Sequence, residues 1–156
     1  MDNLIIFAAK YLIILPVLVV LYLALTLSKP KRLELLYLLV VGGLLSFLLA
    51  KIGSHIYSDP RPFLADHVKS LVSAAHDNGF PSDHTLLSAF LAYVVWAFWK
   101  KAGIALLVVA LIVGTGRVAA GVHHAPDIAG GIFVAGLGFA ISYKLLVLYR
   151  KQHVQK

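Results

Sequence analysis

The sequence predicts an all-α integral membrane protein, a bundle of about five transmembrane helices. Of its 156 residues, 60% are hydrophobic and only 13% are charged, whereas about a quarter of the residues are charged in a typical soluble domain. The apolar residues form long continuous runs without alternation, which favours helices over strands. Because these runs occupy most of the chain, residues 1–156 are interpreted as a single membrane-embedded domain.

Five runs approach the roughly 20 apolar residues that a helix needs to cross a bilayer. The predicted spans cover residues 4–27, 33–57, 85–99, 102–120 and 128–149, the third being short. The first span contains Pro16, a candidate kink, and one charged residue, Lys10. The chain starts Met-Asp-Asn and lacks the basic region of a cleavable signal, so the first span is expected to be retained.

The basic residues are distributed unevenly between the two sides that five spans create. Eight lie on the side of the C-terminus: Lys29, Lys31, Arg32, Lys100, Lys101, Arg150, Lys151 and Lys156. The positive-inside rule makes that side cytoplasmic. The N-terminus, the 58–84 loop and the 117–127 turn are then extracytoplasmic. Topology therefore accounts for the net charge of +7, and no nucleic-acid partner is expected.

Three polar motifs fall on the extracytoplasmic side. They are the Arg-Pro-Phe string at 61–63, the Pro-Ser-Asp-His string at 81–84, and Arg117 with His123 and Asp127. Ionisable groups near a bilayer indicate a functional site by default. Arginine forks bind phosphate oxygens bidentately, a histidine beside an aspartate is a nucleophile or base, and a second histidine can supply a proton. The set predicts metal-free phosphoryl transfer at a membrane surface.

Each motif has a role in this hypothesis. Ser82 or Asp83 precedes an apolar helix as an N-cap, a position that binds anions, and the Ser82 hydroxyl can donate to phosphate. His84 in the next turn can protonate a leaving oxygen. Asp127 can accept from one ring nitrogen of His123, which leaves the other nitrogen available to attack phosphorus. His124 is interpreted as a neighbour that faces the other way.

Taken singly, the motifs also fit structural roles. Arg61 can be an interfacial anchor, Ser82 a simple helix cap and Asp127 a partner of the helix dipole. Their joint occurrence on one side favours the functional interpretation.

The 58–84 loop contains apolar residues at helical spacing. They are Leu64, Val68, Leu71, Val72 and Ala75. The spacing predicts one apolar face of a short helix, which lies in the membrane interface or packs as an ordinary loop helix. His67 and His76 in the same loop are expected to be exposed polar residues.

Together the motifs resemble the type 2 phosphatidic acid phosphatase superfamily, with its Lys-x6-Arg-Pro, Pro-Ser-Gly-His and Ser-Arg-x5-His-x3-Asp patterns. The resemblance covers residues 51–127, and the Phe-Pro-Ser-Asp-His form at 80–84 resembles the bacitracin-resistance-type undecaprenyl pyrophosphate phosphatases. It implies that His123 forms a phosphohistidine, that Asp127 orients it and that His84 is the general acid. It also implies that Arg61, Ser82 and Arg117 bind phosphate, with no cofactor or metal.

The chain departs from the family pattern at three positions. Ser54 stands where the family has lysine, and the nearest lysine is Lys51, almost one helical turn earlier. We expect Lys51 to reach the phosphate, the alternative being that it only extends to the headgroups. Gly116 replaces the serine before the arginine of the third motif, and Asp83 replaces the glycine of the second.

The implied reaction is dephosphorylation of an isoprenoid lipid pyrophosphate, with undecaprenyl pyrophosphate as the expected substrate and its tail in the membrane lipids. The motifs contact phosphate and not the tail, so a phosphatidate or phosphatidylglycerophosphate phosphatase is the alternative enzyme. Alternatives from other classes are a haem- or metal-binding membrane protein that uses His84, His123 and His124, and a transporter. The spans lack the interior acids expected of a transporter.

Overall fold

The computed structural model describes residues 1–154, and within them the regular structure is helical apart from one isolated bridge between Pro60 and Asn78. The elements are α1 (Asp2–Lys10), α2 (Ile14–Thr26), α3 (Lys29–Tyr37), a π-helical segment (Leu38–Gly42), α4 (Gly43–Ile56), α5 (Pro62–Ala65), α6 (Asp83–Phe98), α7 (Lys100–Ala119) and α8 (Ala125–Val154). Lys156, counted above among the basic residues, lies outside the described residues.

Four stretches are long and apolar enough to cross a membrane. They are Asp2–Thr26, Lys29–Ile56, Lys100–Ala119 and Ala125–Gln152. The fifth apolar helix, α6, has 16 residues. The prediction of an all-α bundle with about five membrane helices is confirmed, and the third span is short, as the sequence indicated.

Helix α6 forms the centre of the bundle and packs against α7 and α8. Its apolar side chains supply much of the core: Ala89, Phe90, Leu91, Ala92, Val94 and Val95 are all buried. A helix that is apolar on all sides is typical of a buried position. The chain enters and leaves α6 at opposite ends of the bundle, so the start of α6 lies beside the ends of α4 and α7.

The first membrane stretch is broken at residues 11–13, before Pro16 rather than at it. The backbone N–H groups of Tyr11 and Leu12 both donate to the Phe7 carbonyl, at 2.9 and 3.1 Å, which closes α1. Proline lacks an N–H and its ring clashes with the carbonyl four residues earlier, here that of Leu12. Pro16 therefore lies in the first turn of α2, where helices need no internal donor.

Small residues bring α4 and the π-helical segment close to α8. A Cβ atom on Gly42 would lie 2.7 Å from Ser142 Oγ, and one on Gly138 would overlap Ser46, with the Ser46 nitrogen 2.7 Å away. Small residues at helix interfaces allow backbones to approach closely within membranes. This seam, defined by Gly42, Ser46, Gly138 and Ser142, fixes α8 against the helix that leads to Arg61.

The 58–84 loop contains the short helix α5, but the helical face predicted from Leu64 to Ala75 is wrong beyond Ala65. Soon after α5, His67 adopts a φ of 56°, a left-handed conformation that a helix does not accommodate. The Leu71 N–H instead donates to the Ala120 carbonyl at 2.9 Å. Tertiary contact with the turn after α7 has replaced helical hydrogen bonding.

The apolar residues of this loop form a small second core with the turn after α7. Leu71 and Val72 pack against Ala9, Ala120 and Val122. His67 and His76 are exposed, as predicted. The loop is thus held over one end of the bundle.

Candidate active site

The three motifs meet at that end of the bundle. Arg61 follows α4, His84 lies in the first turn of α6, and Arg117 lies in the last turn of α7. His123 lies in the turn between α7 and α8, and Asp127 in the first turn of α8. Of these five side chains, four are buried and His84 is half-buried. A concentration of buried polar groups of this kind is expected at a functional site.

The protonation pattern of His123 follows from its two partners. Its Nδ1 lies 3.0 Å from Asp127 Oδ2, and its Nε2 lies 3.1 Å from Arg61 Nη1. Since arginine can only donate, Nε2 is the acceptor and Nδ1 carries the proton that is donated to Asp127. His123 is 2% exposed and Asp127 is fully buried. The ring is therefore fixed in the tautomer whose Nε2 lone pair can act as a nucleophile.

Arg61 uses all three of its guanidinium nitrogens within the protein. Besides His123, Nη1 donates to the Val122 carbonyl at 3.1 Å. Nε and Nη2 both donate to Asp77 Oδ1, at 2.9 and 2.8 Å. The Arg61 side chain is 8% exposed and that of Asp77 62%. The Nε–Nη2 edge of the guanidinium has the geometry to bind a phosphate. In this structure it is occupied by the surface carboxylate of Asp77.

Arg117 supplies a second buried guanidinium. It is 5% exposed, and its Nε has no hydrogen-bond partner among the described residues. It interacts electrostatically with Arg61, Asp83 and His84. His84 also interacts with His123 and Arg61. Two buried arginines together with the two histidines that they adjoin form a site suited to a multiply charged anion.

Of the two N-cap candidates, Ser82 is the N-cap of α6, and it is fully buried. Its hydroxyl accepts from Thr85 Oγ1 at 3.2 Å, and its N–H donates to the Asp127 carbonyl at 3.1 Å. Within the described part of the chain, no side chain caps the first turn of α6. The N–H groups of that turn are therefore available to an anion.

Lys51 lies beside the Arg61–His123 cluster rather than within it. It is exposed, and its Nζ lies 5.5 Å from the centre of the Phe47 ring. It lines a cavity of about 190 Å³ together with Asp77 and Asp83. Since Asp77 also contacts Arg61, this cavity adjoins the arginine expected to bind phosphate.

His124 faces away from His123 and contacts two carboxylates. Its Nδ1 lies 2.8 Å from Asp59 Oδ1 and its Nε2 3.2 Å from Asp66 Oδ2. Its backbone N–H donates to Asp127 Oδ2 at 3.0 Å. Burial lowers the pKa of the imidazole, but the hydrogen bonds to Asp66 and Asp59 outweigh burial and raise the pKa above its ordinary value.

One group in the described part of the chain has the spacing of metal ligands. Ligand atoms of Asp59, His124 and Asp127 lie within 4.8 Å of one another. Both imidazole nitrogens of His124 face carboxylates, and Asp127 Oδ2 accepts from the two histidines. These ligand atoms are already engaged in hydrogen bonds within the protein.

The match of residues 31–151 to the family profile of the PAP2 superfamily decides the classification. The chain belongs to the PAP2 superfamily. The resemblance identified from the three motifs is thereby confirmed, and the protein is a multi-pass membrane protein and a hydrolase that acts on lipid phosphate esters.

Curated relatives align with most of the chain. The bacitracin transport permease protein BcrC of Bacillus licheniformis is 31% identical over 93% of this chain and 76% of its own. The undecaprenyl-diphosphatase BcrC of Bacillus subtilis is 29% identical over 86% of this chain and 69% of its own. The putative undecaprenyl-diphosphatase YbjG of Escherichia coli is 34% identical over 88% of this chain and 70% of its own.

A solved structure has the same fold. The crystal structure of Aquifex aeolicus LpxE superimposes with a TM-score of 0.70 at 24% identity, covering 91% of this chain and 82% of that one. At this identity the likeness supports the fold alone.

Two further residues shape this PAP2 site, and sequence reasoning missed both. Asn78 Oδ1 accepts from the N–H groups of Asp59 and Phe80, at 2.9 and 3.1 Å. Its Nδ2 donates to the carbonyls of Ser54 and Tyr57, at 2.8 and 2.9 Å. These four bonds fasten the end of α4 to the segment that leads into α6.

Gly79 allows the segment that leads into α6 to pass close to the segment after α4 at the site. A Cβ atom there would lie 2.9 Å from Asp127 Oδ2 and 3.0 Å from the Asp59 carbonyl. The Asn-Gly dipeptide at 78–79 is a strong turn signal and could have drawn attention to this position.

Proposed function

We propose that this PAP2 protein removes the terminal phosphate of an isoprenoid lipid diphosphate, converting undecaprenyl pyrophosphate to undecaprenyl phosphate. The observation that carries the proposal is the buried His123, with Nδ1 held by Asp127 and Nε2 held 3.1 Å from the phosphate-binding Arg61. The substrate is supported by the names of the relatives from Bacillus subtilis and Escherichia coli, which are an undecaprenyl-diphosphatase and a putative one.

In the first step His123 Nε2 attacks the terminal phosphorus in line with the leaving oxygen. Arg61, Arg117, Ser82 and the N–H groups of the first α6 turn bind the equatorial oxygens, over which the transition-state charge is spread. The Nδ1–H bond to Asp127 stabilises the positive imidazole. The P–O bond to the lipid phosphate breaks, and His84 gives its proton to that oxygen.

In the second step water restores the enzyme. His84, now neutral, removes a proton from a water molecule, whose oxygen attacks the phosphorus of the phosphohistidine. The P–N bond breaks, its electron pair returns to Nε2, and inorganic phosphate leaves. Because Arg61 donates to both Asp77 and His123, it has to exchange these partners for phosphate oxygens when substrate binds.

We further propose that the site faces the extracytoplasmic side, with the N-terminus outside and the C-terminus in the cytoplasm. The support is the concentration of basic residues at the opposite end of the predicted topology. In intact cells, a protease site inserted at 66–77 should be cleaved and a C-terminal tag protected. The reverse pattern would refute this orientation.

The activity is tested by phosphate release from purified protein with a chelator present. The substrates are undecaprenyl or farnesyl diphosphate, phosphatidate and phosphatidylglycerophosphate. We expect the highest kcat/KM with the isoprenoid diphosphate. A higher value with either glycerolipid would assign the protein to the alternative phosphatase class. Absence of release from all of them, with haem absorption or bound metal, would favour the binding-protein alternative.

A further inference from the structure

His124 connects the turn that carries the candidate nucleophile to both sides of Arg61. Its ring contacts Asp59, two residues before Arg61, and Asp66, five residues after it. Its backbone N–H contacts Asp127, the partner of His123. One residue therefore joins three of the segments that form the site.

The chain between the two carboxylates is short and stiff. Arg61 is the N-cap of α5, and the Asp66 N–H donates to the Pro62 carbonyl at 2.8 Å at the end of that helix. Asp59 is held in addition, because its N–H donates to Asn78. Fixing Asp59 and Asp66 consequently fixes the position from which the Arg61 side chain reaches inward.

The contacts also define the charge of the ring. A neutral imidazole has one donor and one acceptor nitrogen, whereas an imidazolium has two donors. Both nitrogens of His124 face carboxylate oxygens, so only the imidazolium satisfies both contacts. The Asp59 side chain is 13% exposed and that of Asp66 57%, so Asp59 is the more enclosed partner.

We propose that His124 is a positioning residue for the phosphatase reaction, whose cation holds Asp59 and Asp66 and thereby sets Arg61 against Nε2 of His123. The inference rests on the proposed function, because its role is exerted through the candidate nucleophile and the phosphate-binding arginine. A displacement of about 1 Å in such a group can slow catalysis about 100-fold.

The contact of His124 with Asp59 and Asp66 is sensitive to pH. The charged groups that face His124 are Asp59 from the segment after α4, Asp66 from the end of α5, and Asp127 from α8. Loss of the proton places a lone pair of the ring against one of these carboxylates. We expect turnover to fall at alkaline pH as His124 is deprotonated, and its raised pKa moves this fall to a higher pH than an ordinary histidine gives.

The test measures kcat and KM against pH on farnesyl diphosphate for the wild type and three variants. His124→Gln should lower kcat by about ten- to a hundredfold at neutral pH and lack the alkaline limb attributed to His124. Asp66→Asn removes an exposed partner, so the protein should fold and its alkaline limb should move to lower pH. His55→Gln is the matched control, since His55 contacts only a carbonyl of its own helix among the contacts described.

Two results would overturn the inference. One is a His124→Gln enzyme with the kcat and pH profile of the wild type, and the other is an Asp66→Asn enzyme with an unshifted alkaline limb. If melting curves show that His124→Gln does not fold, the inference is decided by the alkaline limb of the pH profile of Asp66→Asn. A wild type that releases no phosphate from any lipid phosphate would refute the proposed function instead, which is a different outcome.

Discussion

Arg61 Nη1 donates a hydrogen bond to His123 Nε2 across 3.1 Å, so the residue expected to bind phosphate covers the atom expected to attack it. The same guanidinium holds Asp77 through its other edge. A phosphate that takes Arg61 from these partners would uncover the Nε2 lone pair. Substrate binding and exposure of the nucleophile would then be a single event.

Replacement of His123 by alanine should abolish phosphate release, because no other described side chain has both an orienting carboxylate and an arginine at its ring nitrogens. Asp127→Asn should slow turnover by up to about 10⁴-fold, by analogy with the loss of a triad's orienting aspartate. Single-turnover phosphate release measures both, with melting curves to verify folding. A His123→Ala enzyme within about tenfold of wild type would remove His123 from the nucleophile role.

Asp77→Asn should strengthen inhibition by inorganic phosphate, because the exposed carboxylate competes with phosphate for Arg61. Exposed ion pairs contribute about 0.2–1 kcal/mol, so the inhibition constant should fall by at most about fivefold. Asp2→Asn removes the same charge at the start of α1 and serves as the control. An increased constant would show instead that Asp77 positions Arg61 for phosphate.

Gly79→Ala should impair both stability and turnover, because its Cβ atom would meet a buried carboxylate oxygen and a backbone carbonyl at 2.9 and 3.0 Å. Gly43→Ala is the matched control, since a Cβ atom there would lie 3.5 Å from the Phe90 ring, an ordinary contact. Melting temperature and kcat are measured for each. Equal behaviour of the two variants would mean that the Gly79 segment can move aside without disturbing Asp127.

Lys51→Met should lower kcat or raise KM on the lipid diphosphate, and Lys51→Arg should retain part of the activity, because the lysine lines the cavity that adjoins Arg61. Lys51 is exposed, so its effect should be smaller than that of a charge in a water-poor site, which is commonly worth a few kcal/mol to the transition state. Lys10→Met, at the end of α1, controls for the loss of an exposed lysine. Full activity of Lys51→Met would mean that the two arginines suffice.

The stability contributed by His124 should decrease as the pH rises. Its pKa is raised in the folded state, so the folded protein binds this proton more tightly than the unfolded chain does. The contribution is complete below the ordinary histidine pKa of about 6.5 and is lost as the pH passes through the raised value. The melting-temperature difference between wild type and His124→Gln should shrink at alkaline pH. A difference that grows would reverse the assigned direction.

The sequence predicted the convergence of the motif residues where they are close in the chain or at helix ends. His123 and Asp127 are one helical turn apart, so their pairing follows from local geometry. The convergence of Arg61 and His84 followed from the antiparallel order of the spans.

The break in the first span lies before Pro16 and not at it, because a proline disturbs the helical turn that precedes it.

Prediction failed where long-range contacts decide the structure. The path of residues 66–82 depends on the bond between Leu71 and Ala120, which no local pattern encodes. The carboxylate partners of Arg61 and His124 depend on that path, and so they could not be read from spacing. Asp59 and Asp66 look like ordinary surface acids until the loop is folded over the turn after α7.

The close seam that joins α4 and the π-helical segment to α8 restricts how a long-chain lipid can reach the site. Where Gly42 meets Ser142 and Gly138 meets Ser46, the two backbones leave no room even for one added carbon atom. An isoprenoid chain is bulkier than that, so it cannot slide sideways between these helices along that stretch. A substrate that keeps its tail in the bilayer has to dock through a different gap in the bundle, with its headgroup turned inward.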